Sequence, residues 1–558
     1  MNKHVTLADA VRETVTPGAQ IIFSFSHNRA HAAAFEVARQ FKDTEALELV
    51  GTGLIEYASV LASAGAIKRM ESAFMGNSYP APAPAKVLCD MVESGGGHDP
   101  NWTNLTLPLR LMAGAFGWPF IPVHSLLGSG LGEGKGRAEI ENPFGEGSVG
   151  VIAPLVPDVA FVHGAIADTH GNTVVYGPHG EDLWGAWAAK KVVVTAEKVV
   201  DPEEFRKLGP RPGFPGHRVT RVVEVPYGAH PQAQFVWNDD GVRPYAEDYE
   251  MRSELRRLSR KPDEMRAWVE EWVFGQTHES YLERLGKDYL EELNTAAFME
   301  ADSNFTAPDT GPPTPEEVAA TVAMREAVSK VVGEGYELLF AGIGLSHIAA
   351  WAAEELCRAK GYHPMLVAET GLYGFRPAKG DPYLFNPPNT RSSLFHSDFT
   401  HTLGILGGPR SERCLTMLGA GQMDSRGNVN SSWIGGKNFI VGAGGANDLV
   451  KGNSDYMVVM PASSRRLIEN VDFVTSPVGS LACVATDLGI LELSKETGEL
   501  EIAAVVTPPG KLAEGIEKFR GACGWDVKVK ADPRRLNEPE PGELALLRSF
   551  DPEKKLLG

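Results

Sequence analysis

The sequence predicts an α/β protein in which one chain carries two related open-sheet domains. Three observations predict it. Apolar strands and Ala-rich or amphipathic helices alternate from about residue 20 to 235, and the alternation restarts near residue 315. Each run opens with an apolar strand, a short polar or Gly-rich junction and an Ala-rich helix, Ile21 to Gln40 and Leu338 to Lys360. Each also carries one Asp/Gly/Asn turn, Asp168-x-x-Gly171-Asn172 and Asp424-x-x-Gly427-Asn428, with a further strand after it, at Lys191 and at Tyr456. Matches in the same order suggest duplicated domains, and a cleft between two such domains is a favoured place for a ligand.

The length and composition fit this. At 558 residues the chain is too long for one core. Its 43% hydrophobic and 22% charged residues are ordinary for a globular protein. With 53 Lys+Arg against 72 Asp+Glu, the net charge of −19 argues against nucleic acid or an anionic membrane as partner. Anionic substrates must then be met by local donors. No apolar run reaches the ~18 residues of a membrane span, and the opening residues lack the apolar segment of a signal peptide. Five scattered cysteines, in neither a C-x-x-C pair nor an even framework, suit a reduced, cytoplasmic protein. No metal-ligand cluster stands out.

In chain order, Gln20 to Phe25 is a strand and Ala30 to Gln40 a helix. The junction Ser26-His27-Asn28-Arg29 between them offers free backbone N–H groups, an Asn and an Arg to an anion, or alternatively only a helix cap and a surface Arg. Leu47 to Gly53 is a second strand, with a helix near Glu56 to Ala64. The Gly-rich run Gly128 to Gly136 misses the phosphate-loop spacing, which needs Gly at 129 and Ser or Thr at 136, so a flexible or lid-like loop is expected. Pro157 to Gly164 and Lys191 to Ala196 are buried strands. From about 248 to 300 the chain turns to charged, periodic helices, where Met265, Trp268, Val269, Trp272 and Val273 form a packing stripe. Asp302 to Pro315, with four prolines, is the expected domain boundary.

The second run centres on Met365-Leu366-Val367-Ala368-Glu369-Thr370-Gly371-Leu372-Tyr373-Gly374. A buried strand ends on a carboxylate, and glycines then keep the turn free of bulk. Strand mouths of open α/β sheets hold ligands and chemistry, so Glu369 is a candidate nucleophile. Standing alone, a strand-end Glu is more often a salt-bridge partner or solvent-exposed, and its company has to decide. That company includes Gly342-Ile343-Gly344, opening a helix, and Gly442-Ala443-Gly444-Gly445-Ala446-Asn447-Asp448-Leu449.

Taken together these residues resemble a family I CoA-transferase with both subunits fused in one chain. The first half resembles the A subunit of the glutaconate CoA-transferase type, through Phe25-x-x-Asn28-Arg29, Gly65-Ala66-Ile67-Lys68-Arg69-Met70-Glu71, Pro157-Asp158-Val159-Ala160, Ala167-Asp168-x-x-Gly171-Asn172 and Pro226-x-Gly228-Ala229-His230-Pro231. The second resembles the B subunit through Gly342-Ile343-Gly344, Glu369-x-Gly371-x-x-Gly374 and Gly444-Gly445-Ala446-x-Asp448-Leu449. The resemblance implies two CoA-transferase-type α/β domains joined by a helical segment and linker: an A-like domain over 1–300 with a helical tail about 248–300, a linker over 301–315, and a B-like domain over 316–558 carrying the nucleophile. It departs from the family pattern at Ser346, often Pro, and at Thr370, commonly Asn or Ser.

The implied activity moves CoA from an acyl-CoA to a small carboxylic acid, with coenzyme A as substrate and covalent carrier and no metal. Glu369 is then the catalytic residue. Gly444, Gly445, Gly342 and Gly344 are expected to form the oxyanion hole and CoA contacts, and Ser26, Asn28 and Arg29 to bind substrate. A homodimer or homotetramer is the implied assembly. An acyl-CoA thioester hydrolase on the same fold is the alternative enzyme, and a non-catalytic ligand sensor the alternative of another class.

Overall fold

The structure is a computed structural model that describes residues 2–23, 28–237, 241–298, 305, 311–408, 411 and 413–558. Six strands of the first half lie parallel in one sheet, in the order Ile67–Met75, Leu47–Leu54, Gln20–Phe23, Val159–Asp168, Lys191–Val200, Arg221–Glu224. The strand Val159–Asp168 is buried along its whole length, as a strand covered by helices on both faces must be. The second half builds a ten-stranded sheet on five parallel strands, in the order Met365–Ala368, Leu338–Ala341, Cys414–Leu418, Asp455–Val459, Leu481–Thr486. Short antiparallel strands extend one edge. Gly489–Leu493, Leu500–Val506 and Lys528–Leu536 extend the other.

Both sheets reverse their winding beside their first strand. Gln20–Phe23 lies between the next strand, Leu47–Leu54, and the much later Val159–Asp168. Leu338–Ala341 lies likewise between Met365–Ala368 and Cys414–Leu418. Helices leaving such neighbours pass to opposite faces, which opens a crevice at the carboxyl ends of the strands.

The repeated turn is the same object twice. Asp168 Oδ1 accepts the N–H groups of His170 and Asn172, both at 2.9 Å, and Oδ2 accepts the Asn172 side-chain amide at 2.6 Å. Asp424 Oδ1 accepts those of Arg426 at 3.0 Å and Asn428 at 2.9 Å, and Oδ2 the Asn428 amide at 3.0 Å. In each the backbone N–H of the Asp donates back to the Asn carbonyl, at 2.9 and 3.0 Å.

The helical tail runs through Tyr249–Leu258, Pro262–Val269, a π-helical turn Glu270–Phe274, His278–Leu285 and Lys287–Ala296. Its apolar stripe packs on the first half, with Trp268 edge-on to Phe35 at 6.3 Å between ring centroids. Most of the expected linker, 301–304 and 306–310, lies outside the described residues. Thr314 then starts the helix Pro315–Glu334 in a reciprocal cap with Glu317.

The run Gly128 to Gly136 forms a short 3₁₀ turn at Gly130–Gly132 with Leu131 buried, while Gly132 to Lys135 are exposed. The Gly130 N–H donates to the Val474 carbonyl of the second half at 2.9 Å, which ties the start of the run to that half.

Candidate active site

The strand Met365–Ala368 delivers Glu369 to a turn closed by the Gly371 N–H on the Ala368 carbonyl, at 2.9 Å. Glu369 looks into a cavity of about 530 Å³ between the two halves. The second half contributes the carboxyl ends of its sheet, with Gly342 and Gly344 beyond Leu338–Ala341 and Leu418 to Gly421 at the end of Cys414–Leu418. These flank the switch point identified above. The first half contributes Phe74, Ser78, Pro82 and Asn104. Arg466 and Lys555 are the cavity's basic residues among the described residues.

Glu369 keeps a window on the cavity but is otherwise enclosed by protein. Burial pushes its carboxyl up to about 7, the neighbouring Asn104 side chain opposes that rise, and Asp448, whose own carboxyl burial also lifts to about 7, adds to it. Gly445 lies hard against it. A Cβ placed on Gly445 would sit 2.7 Å from Glu369 Oε2 and 3.1 Å from a Leu403 methyl, so any larger residue there would displace the Glu369 carboxyl.

The four glycines singled out from the sequence all line the cavity, but their N–H groups differ. Gly342 donates to the Met417 carbonyl at 3.1 Å and Gly444 to the Ala73 carbonyl at 3.0 Å. Gly344 donates to His347 Nδ1 at 2.9 Å. These three N–H groups are committed and cannot serve as oxyanion donors. The Gly445 N–H has no hydrogen bond among the described residues. The expected hole at Gly444–Gly445 therefore reduces to Gly445, beside the Asn104 side chain.

The expected substrate residues of the first half are placed differently. Ser26 lies outside the described residues. Asn28 is buried, its side-chain amide on the His163 carbonyl at 2.6 Å. Arg29 is 1% exposed, its guanidinium 5.2 Å from the Tyr57 ring centre and within electrostatic reach of Glu56 and Glu181. Neither Asn28 nor Arg29 lines the cavity. Asn104, which does face Glu369, has no signal in the sequence: it sits in a polar segment before the helix Thr106–Phe116, and its proximity to Glu369 is purely tertiary.

Comparison with known proteins explains the arrangement. A family model described as Coenzyme A transferase matches residues 4–224. The A subunit of glutaconate CoA-transferase from Acidaminococcus fermentans is 29% identical over 331 residues, 55% of this chain and 100% of that relative. The B subunit of the same enzyme is 30% identical over 260 residues, 40% of this chain and 90% of that relative. The chain belongs to the coenzyme A transferase family. The A and B subunits match different parts of it, so this CoA-transferase carries both bodies fused. An acyl-CoA transferase from E. coli O157:H7, solved as a thioester complex with CoA, shares the fold over 96% of this chain and 95% of its own, with a TM-score of 0.63 at 15% identity. The enzyme is a transferase of a family that uses CoA as substrate. No helix among the described residues is long and apolar enough to cross a membrane.

Proposed function

We propose that this CoA-transferase moves CoA from an acyl-CoA to a small carboxylic acid through a glutamyl-CoA thioester on Glu369. The observation that carries this is the setting of Glu369: a carboxylate at a strand end in the inter-half cavity, with no cationic partner among the described residues and Gly445 against its oxygen. A carboxylate tied in a salt bridge is a poor nucleophile, and one lifted toward 7 by burial is more basic while still substantially ionised at neutral pH.

The steps follow from that placement. Glu369 attacks the thioester carbonyl, the C–S bond breaks, and CoA thiolate leaves a mixed anhydride. The thiolate attacks the Glu369 carbonyl carbon, which releases the acid and forms the glutamyl thioester. The acceptor carboxylate attacks that carbon and expels the thiolate, giving a second anhydride. Thiolate attack on its acceptor-side carbonyl restores Glu369 and yields the new acyl-CoA. Each tetrahedral oxyanion needs a donor, and the Gly445 N–H and the Asn104 amide are the candidates, each worth roughly 3–4 kcal/mol. Arg466 and Lys555 suit the CoA phosphates, local cations in a chain of net charge −19.

We also infer that residues 1–300 and 316–558 are separable bodies, linked through 301–315. Fragments 1–305 and 312–558 should co-purify and recover activity together. Activity of the second fragment alone would remove the first half from the site.

The decisive test is to incubate the full chain with acyl-CoA and no acceptor, then locate CoA by peptide mass spectrometry. CoA on Glu369, with parallel initial-rate lines at several acceptor concentrations, supports transfer. CoA release equally fast without any carboxylic acid favours a hydrolase, and a wild-type enzyme with no adduct on Glu369 removes the nucleophile.

A further inference from the structure

Asp448 lies two residues beyond Ala446 in the short helix Ala446–Val450, is 4% exposed, and belongs to the second half. Among the described residues, the hydrogen bonds to its carboxylate all come from the first. Oδ1 accepts the Thr103 hydroxyl at 2.7 Å and the Ser125 hydroxyl at 2.5 Å. Oδ2 accepts the Leu105 N–H at 3.1 Å. The carboxylate thus grips the residue on each side of Asn104, using a different oxygen for each. The backbone of Asn104 itself is held by the same segment, its N–H on the Gly444 carbonyl at 2.9 Å. The side chain left over lines the same cavity as Glu369 and bears on its carboxyl.

We infer that Asp448 is a positioning residue for CoA transfer: by straddling Asn104 it fixes that side chain against Glu369 and couples assembly of the two halves to the alignment of the nucleophile. This rests on Glu369 being the CoA carrier. Three donors converging on one buried carboxylate define its orientation more tightly than a single bond would, and catalytic geometry tolerates displacements of only about 0.5 Å. Asp448 also lies within electrostatic reach of Glu369, its own carboxyl raised by burial to about 7. Among the described residues it is the ionisable group that bears on Glu369, whose other near neighbours include Asn104, Leu403 and Gly445.

A plain interface clamp would give similar contacts, so the test must separate the two roles. Asp448→Asn keeps the shape but leaves only one acceptor oxygen, so one of the two grips is lost. Thr103→Val, a second and milder variant, removes a single donor. The measurement is the single-turnover rate of CoA attachment to Glu369, by intact mass, in the full chain. Asp448→Asn should slow attachment by about 100-fold and Thr103→Val by roughly tenfold, while the acyl-CoA concentration for half-maximal rate changes less than about threefold. Asn104→Ala should be slowed too, and Asp448→Asn combined with Asn104→Ala should be no slower than the slower single variant. Asp448→Asn attaching CoA at the wild-type rate, or two effects that multiply in the double variant, would each overturn the assignment. Wild-type enzyme with no CoA on Glu369 would overturn the nucleophile itself, a failure distinct from these.

Discussion

In the first half the strand Leu47–Leu54 runs into Ile55 and then Glu56; in the second the strand Met365–Ala368 runs into Glu369. Each strand lies beside the first strand of its sheet, and each glutamate is enclosed where the halves converge. Their partners differ. Glu56 Oε1 accepts two guanidinium N–H groups of the buried Arg252, both at 3.1 Å, and Arg252 also binds Glu247 at 2.7 Å. Glu369 has the neutral Asn104 and a like charge at Asp448. An ion-paired carboxylate serves the fold, whereas one enclosed without a cation is held ready to form a bond. One residue type at the ends of these strands thus has two settings, an ion pair at Glu56 and a cation-free enclosure at Glu369.

The largest test of this contrast removes each carboxylate in turn. Glu369→Ala should lose about 10⁴-fold or more in transfer with the protein still folded. Glu56→Ala should instead cost stability, on the order of 3–5 kcal/mol from the orphaned Arg252, read as a lowered denaturation midpoint. Comparable loss of kcat in folded Glu56→Ala would erase the distinction. Next come the glycines near each site. Gly445→Ala would push a methyl into Glu369 and should lower kcat by about 100-fold. Gly51→Ala, whose Cβ would meet Leu54 and the Tyr57 hydroxyl at 3.3 Å, should leave kcat within about twofold.

A smaller effect is thermodynamic. Glu369 is raised to about 7 in the folded chain, above the ordinary carboxylate range. The folded state therefore holds this proton longer than the unfolded one, and stability falls as pH rises between those two values. Glu369→Gln removes that loss, so its unfolding free energy should exceed the wild type's more at pH 8 than at pH 5, by on the order of 1–3 kcal/mol. An equal difference at both pH values would mean the carboxyl titrates normally. The smallest effect is at the cavity mouth: Arg466→Ala should raise the KM for acyl-CoA about three- to tenfold with kcat unchanged, and high salt should narrow the gap.

Much of this is legible in the sequence because it is local. Strand alternation, the two Asp/Gly/Asn turns and a carboxylate at a strand end are each confined to a few residues, and the turns recur with the same bonds. What escapes is set by contacts across hundreds of residues. Asn104 reaches Glu369, and Thr103 reaches Asp448, only once the halves dock. Arg29 reads as a cleft cation because a strand-to-helix junction offers no local sign of burial. With the guanidinium buried beside Tyr57, Arg29→Lys is expected to cost stability as well as any effect on substrate. The Gly128 to Gly136 run looks loose for the same reason, since its anchor at Val474 is more than 300 residues away.

The grip of Asp448 on Thr103, Leu105 and Ser125 joins two bodies that the A. fermentans relative makes as separate subunits. Within one polypeptide that meeting is unimolecular. A tether of short to moderate length presents the bodies to each other at an effective concentration of about millimolar, whatever the amount of enzyme in solution. Dilution that would dissociate a pair of subunits leaves this site intact, and a mutation that weakens the docking surface is felt as a local opening rather than as dissociation.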